Sequence, residues 1–172
     1  LQITLKKIPP RLDEDKDLEE GVNFFNDGRY DEAIESFKRV IEKFPDNYEG
    51  YNNLGLSYLK NNNLDQAVDT LEKAIGLKPD SPSVYFALGE SYFAKGESEK
   101  AIRSFSEAIE LDPDNPMAFY NLGIIYYRQD ENEEAIRAFD RAIELNQELS
   151  SAYYQAGLAS VKMGDFERAI KY

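Results

Sequence analysis

The chain has 172 residues, with 33 acidic against 20 basic side chains for a formal charge of −13, and it contains no cysteine, histidine or tryptophan. That composition excludes Ser-His-Asp and Cys-His catalysis, thiolate or imidazole zinc sites and structural disulfides, leaving only carboxylate, lysine or tyrosine chemistry. The acidic balance also repels a phosphate backbone, and no segregated basic stripe offsets it, so nucleic acid is not expected as a partner.

In chain order, residues 1–13 stand apart. Leu1, Ile3 and Leu5 alternate with polar residues, and Lys6, Lys7 and the Pro9-Pro10 pair follow, a pattern of an extended arm or linker ended by proline. From residue 14 the sequence becomes periodic. Pro45, Pro79 and Pro113 lie 34 residues apart, each followed by aspartate, and Gly21, Gly55, Gly89, Gly123 and Gly157 share the interval. So do Ala33, Ala67, Ala101, Ala135 and Ala169, while Phe24, Tyr58, Tyr92 and Tyr126 form an aromatic column and Phe37, Leu71, Phe105 and Phe139 a second large apolar one.

Within one period, Tyr51, Leu54, Gly55 and Tyr58 follow helical spacing, Asn61–Asn63 interrupt it, and Ala67, Leu71, Ala74 and Ile75 resume it. The pattern is helix, turn, helix. Ser81 and Asn115 are N-cap residue types, each followed by a proline suited to the first helical position, so helices are expected to start near 48, 82, 116 and 150. Turns inside the repeats are expected at 26–29, 61–63, 95–97, 129–132 and 163–165. The glycines and alanines have a packing reason, since two helices approach toward the ~8 Å end of their usual separation only where facing side chains are minimal. A pair this thin cannot bury its apolar face alone, so each stacks on the next and the architecture is a solenoid.

These residues resemble the tetratricopeptide repeat family, whose pattern of aromatic, Leu-Gly, Tyr, Ala, Phe, Ala and Pro is met in the second repeat by Tyr51, Leu54, Gly55, Tyr58, Ala67, Leu71, Ala74 and Pro79. The resemblance covers 14–172, read as repeats 14–47, 48–81, 82–115 and 116–149 with a partial fifth at 150–172. It implies an all-α, right-handed superhelical solenoid of helix-turn-helix repeats whose first helices line a concave groove that holds a peptide or helix of a partner protein. The positions that would face the groove are Asn53, Leu56 and Lys60 in repeat two, Phe86 and Phe93 in repeat three, Met117, Tyr120, Asn121, Ile124, Tyr127 and Arg128 in repeat four, and Tyr154, Gln155, Leu158 and Lys162 in repeat five. Asn53, Asn121 and Gln155 offer both donors and acceptors to a partner's backbone, and tyrosine gives contact area at little entropic cost. The basic column suits acidic side chains, or simply the C-terminal ends of its helices.

Some family members hold acidic chaperone tails with a clamp of lysines, asparagines and an arginine at fixed places in three successive repeats. Here the three possible frames give Leu18, Val22, Asn53, Ser83 and Ala87; Asn52, Leu56, Ala87, Met117 and Asn121; and Phe86, Glu90, Asn121, Ser151 and Gln155. None supplies a cation, so no such clamp is expected. Paired acids such as Glu133-Glu134 open a helix and Asp112 and Asp114 flank a turn, positions that suit acids without any catalytic or metal role. No cofactor or metal is expected, and no apolar stretch approaches the about 18 residues that span a bilayer.

The expected function is a non-catalytic protein-protein interaction module whose groove takes a basic or apolar partner segment. An alternative is a self-assembling scaffold that joins copies through Phe166, Ile170 and Tyr172, which lack a following cap, or through residues 1–13. A further alternative is the repeat region of a larger enzyme or secretion component, since the sequence opens at Leu1 rather than methionine and stops within the fifth repeat. The compartment reads as cytoplasmic, with an exported or periplasmic location left open.

Overall fold

The computed structural model describes residues 12–172; the expected N-terminal arm, up to Arg11, lies outside the described residues. The protein is all-α, and its helices fall into two compact units, one up to Leu77 and one from Lys78 onward. The first unit contains α1 (Leu12–Asn26), α2 (Tyr30–Lys43), α3 (Tyr48–Lys60) and α4 (Leu64–Leu77). The second contains α5 (Pro82–Ala94), α6 (Ser98–Leu111), α7 (Pro116–Arg128), α8 (Asn132–Leu145), α9 (Ser150–Lys162) and the four-residue α10 (Phe166–Ala169). Helices start at 48, 82, 116 and 150, where the cap and proline signals put them.

The turn inside each repeat is the same device five times over. Gly28, Asn62, Gly96, Asp130 and Gly164, again 34 residues apart, take φ values from 60° to 78°. That is the left-handed conformation which glycine adopts freely and Asn or Asp tolerate. It lets two backbone bonds satisfy carbonyls that the helix end would orphan. Arg29 N donates to Phe24 O at 2.8 Å and Gly28 N to Phe25 O at 3.0 Å; Glu97 N to Tyr92 O at 2.9 Å and Gly96 N to Phe93 O at 3.0 Å repeat the arrangement. Helix entry is less uniform. Asn47 accepts from Gly50 N at 2.6 Å and Asn115 from Met117 N at 3.0 Å, but Ser81 makes no side-chain cap bond and its hydroxyl lies 3.1 Å from that of Ser83. Pro82 needs no partner there, because its missing N–H is one of the donors a cap would serve.

Packing follows the glycine and aromatic columns. A Cβ built on Gly21, Gly55, Gly89 or Gly123 would fall within 2.7 Å of Phe37, Leu71, Phe105 or Phe139 respectively. Those four side chains are wholly buried or nearly so, at 0–1% exposure. In the first four repeats the first helix therefore lies against the second with only a hydrogen where a methyl would clash. Ala33, Ala67, Ala101 and Ala135 are fully buried on the opposing helices, as close approach requires. Gly157 departs from the column: its nearest neighbours are Ala169 O and Tyr172 Cβ, both at 3.8 Å. At the 16-residue offset that pairs the other four glycines with their large apolar partners, its partner would be position 173, one past the last residue of the sequence.

Asp17 and Glu20 stand in the first repeat at the places that Tyr51 and Leu54 take in the second. Asp17 accepts from Lys43 Nζ at 2.7 Å and Arg39 Nε at 3.3 Å, and Glu20 accepts from Arg39 at 2.6 Å, tethering α1 to α2. The Lys43 bond, with Arg39 beside it, holds the Asp17 carboxyl below the usual carboxylate range. Ion pairs thus stand where later repeats use apolar contact.

Candidate interaction site

On α7 the expected groove residues Met117, Tyr120, Asn121, Ile124, Tyr127 and Arg128 recur at spacings of three, one, three, three and one, which places them on one face of the helix. Phe86 and Phe93 hold the corresponding places on α5, and Tyr154, Gln155, Leu158 and Lys162 those on α9. The structure divides these residues by what lies beneath them. Tyr120, Ile124 and Tyr127 are half-buried and pack against the cluster of Ala135, Phe139 and Ala156; the Tyr120 and Phe139 ring centroids are 5.8 Å apart. Phe86 meets Phe105 edge to face at 5.5 Å. These rings pack within their repeats and are only partly exposed.

Met117 and Tyr154 are different, at 40% and 66% exposure, and Val161 one turn beyond Leu158 is 49% exposed. Tyr154, Leu158 and Val161 line a cavity of about 660 Å³ with Ser150, Tyr153, Gly157, Ala169 and Tyr172. Tyr153, Gly157 and Ala169 were not singled out as site residues from the sequence. The signal that could have found them is the departure of the fifth repeat from its own columns.

The basic column is already engaged. The Arg128 guanidinium lies 4.5 Å from the centroid of Phe93, one repeat earlier in the chain. Lys162 sits 4.8 Å from the centroid of Tyr127 and forms an ion pair with Asp130, whose hydrogen bond raises the lysine above its ordinary pKa. A cation over an aromatic face is attracted by the ring quadrupole, so each of these groups braces a neighbouring repeat. Lys60 is exposed.

The first unit has its own small cavity, about 210 Å³, lined by Val22, Phe25 and Asn26 of the first repeat, Phe37 behind them, and Asn53 and Leu56 of α3. Two expected site residues thus share a pocket. Their partners from α1 were legible only as repeat columns.

At the chain's last residues the expectation of three unsupported apolar side chains is corrected for one of them. Phe166 and Ile170 are 65% and 86% exposed, but the Tyr172 hydroxyl donates to Asp140 at 2.6 Å and its ring packs on the Phe139 cluster. Arg168 adds contacts to Glu133 at 3.2 Å and Asp140 at 3.3 Å. Among the described residues no group of three or more carboxylates is placed to hold a metal ion, and no helix is long and apolar enough to cross a membrane.

Helix pairs stacked through small-residue columns, with apolar and amide side chains on one helix of each pair, define a helical-repeat interaction module. The tetratricopeptide repeat family matches residues 18–82, 116–149 and 150–172, and a further TPR repeat match covers 89–130; the chain belongs to that family. Its fold is similar to a crystal structure of MamA at 31% identity, covering 88% of this chain and 89% of that one with a TM-score of 0.83. A second MamA crystal structure is 29% identical over 93% of this chain and 87% of that one, with a TM-score of 0.84. A thermophilic TPR protein of Thermus thermophilus shares the fold at 22% identity and a TM-score of 0.72, over 92% of this chain and 87% of that one. No curated protein sequence matches the chain.

Proposed function

We propose that this tetratricopeptide domain is a non-catalytic adaptor that takes an apolar segment of a partner protein on the first-helix face of repeats three to five. The observation that carries the proposal is Tyr154, two-thirds exposed at the mouth of an apolar cavity with Leu158 and Val161. An aromatic ring with a hydroxyl at its tip supplies contact area and a hydrogen bond while losing little entropy on binding. Asn121 and Gln155, half-buried on the same helix faces, are the groups to bond a partner's backbone. With Arg128 stacked on Phe93 and Lys162 paired with Asp130, the face holds little uncommitted positive charge, which favours an apolar ligand over an acidic one.

Selection from a displayed peptide library tests this. Peptides enriched on the wild-type domain are expected to lose about tenfold or more in affinity, ~1.4 kcal/mol or above, on Tyr120→Ala/Tyr154→Ala, with the circular dichroism spectrum unchanged. Equal binding by the folded double variant would move the site elsewhere. A second proposal, self-assembly through Phe166 and Ile170, draws on their exposure. It predicts a concentration-dependent mass that Ile170→Glu abolishes.

A further inference from the structure

The small cavity of the first unit lies in different electrostatic surroundings from the face of repeats three to five. Its volume of about 210 Å³ is below the ~300 Å³ at which pockets for small molecules begin. Its walls are the apolar side chains of Val22, Phe25, Phe37 and Leu56, with the amides of Asn26 and Asn53 beside them. Val22, on its rim, is 38% exposed, and Phe37 behind it is buried. A space of that size and lining takes one aliphatic side chain and offers an amide to the backbone that carries it.

Charge decides what accompanies that side chain. Residues 12–77 carry sixteen acidic and seven basic side chains. Ion pairs within the unit engage Asp17, Glu20, Glu32 and Glu35. Glu19 and Glu49 take part in none of those pairs, and both are exposed. Each lies one turn before a cavity residue on the same helix face, Glu19 three positions ahead of Val22 on α1 and Glu49 four ahead of Asn53 on α3. In repeats three to five the place of Glu19 is taken by Ala87, Asn121 and Gln155, and that of Glu49 by Ser83, Met117 and Ser151, none of them charged. Lys60, one turn past Leu56, is exposed at the other end of α3. The cavity therefore has carboxylates toward one end and an ammonium toward the other.

We propose that this cavity is a docking site for a basic, aliphatic segment of another protein. A leucine, isoleucine or valine enters beside Val22 and Leu56, and a lysine or arginine two residues along the segment comes to the level of Glu19 and Glu49. The spacing follows from the helix rise: three to four residues at ~1.5 Å each set the carboxylates about 4.5–6 Å from the cavity. In an extended segment, alternate side chains share a face at about 7 Å, and the flexible stem of a lysine takes up the difference. An acid at that place would meet two carboxylates, and a segment of reversed polarity would set its base against Lys60. The selection for a cation separates this site from the one proposed in repeats three to five, and either can fail alone.

Blocked heptapeptides of serine and glycine, with leucine at the third place and either lysine or glutamate at the fifth, are the probes, titrated into the 15N-labelled protein. The lysine peptide is expected to shift the backbone amide signals of Val22 and Leu56 and the side-chain amide of Asn53, binding at least about fivefold more tightly than the glutamate peptide. Alanine in place of the peptide's leucine is expected to abolish the shifts, and added salt to narrow the preference. Glu19→Gln/Glu49→Gln, two exposed and near-isosteric changes that leave the rest of the spectrum in place, is expected to remove the preference. Equal binding of the two peptides, a preference that survives the double substitution, or no shift at the cavity would each overturn the proposal. Shifts confined to α7 and α9 would overturn it too, while supporting the site in repeats three to five.

Discussion

Gly123 and Gly157 occupy the same place in successive repeats, yet they do different things. A methyl on Gly123 would lie 2.5 Å from the ring of Phe139, whereas on Gly157 it would meet nothing closer than 3.8 Å. The helices that carry them are thirteen residues each and share an alanine and two aromatics before the glycine, Ala118, Phe119 and Tyr120 against Ala152, Tyr153 and Tyr154. The difference lies opposite: α8 presents the fully buried Phe139, whereas the matching place opposite Gly157 is position 173, one past the last residue of the sequence. A glycine column in a repeat sequence therefore records a contact made elsewhere in the chain.

The comparison can be broken most forcefully at the ring. Phe139→Ala, which empties the contact beside Gly123 and removes the centre of the Ala135 and Ala156 cluster, is expected to cost about 3–5 kcal/mol in urea unfolding. A loss below about 1 kcal/mol would mean that the ring is not the keystone of its repeat. Gly123→Ala comes next. Its methyl must displace a ring that has no room to move, and overpacking of this kind costs about 1–3 kcal/mol, against a gain of up to about 1 kcal/mol in helix propensity. Removing the terminal tether with Tyr172→Phe deletes the 2.6 Å bond to Asp140 and is expected to cost about 0.5–1.5 kcal/mol.

That last variant also sharpens the pH behaviour. Burial, and then the bond to Asp140, raises the Tyr172 phenol above its ordinary value near 10. The folded state holds the proton more tightly than the unfolded one, so this contribution is complete below about pH 10 and is lost as pH rises through the folded pKa. The difference in melting temperature between wild type and Tyr172→Phe should therefore shrink as the pH is raised past about 10. The smallest effect is expected from Gly157→Ala, stabilising by up to about 1 kcal/mol, because the methyl enters open space and the helix gains propensity. Destabilisation there would show that Gly157 is packed like its counterparts.

The repeat itself was legible because a fixed interval of 34 residues brings Gly21 to Phe37, Gly55 to Leu71, Gly89 to Phe105 and Gly123 to Phe139 by the same helical geometry. Helix starts at Pro82 and Pro116 were readable from local chemistry alone. The left-handed column of Gly28, Asn62, Gly96, Asp130 and Gly164 was there to be read as well, but three residue types share it, and only their common positive φ shows them to be one device. Of the candidate site, the helix face was legible and the division of labour along it was not. Tyr120 and Tyr154 stand in one column, yet Tyr120 packs beside Phe139 while Tyr154 is two-thirds exposed.

Periodicity, capping residues and charge are local or evenly spaced properties, and so the sequence alone determined the helix-turn-helix repeat, its register, and the absence of thiol and imidazole chemistry. Tertiary structure decided what each side chain does with its position. It set Arg128 on Phe93 and Lys162 against Asp130, turned Asp17 and Glu20 toward Arg39 and Lys43, and bound Tyr172 to Asp140. Those outcomes depend on distances between residues from 19 to 35 positions apart, which packing fixes and a repeat pattern does not.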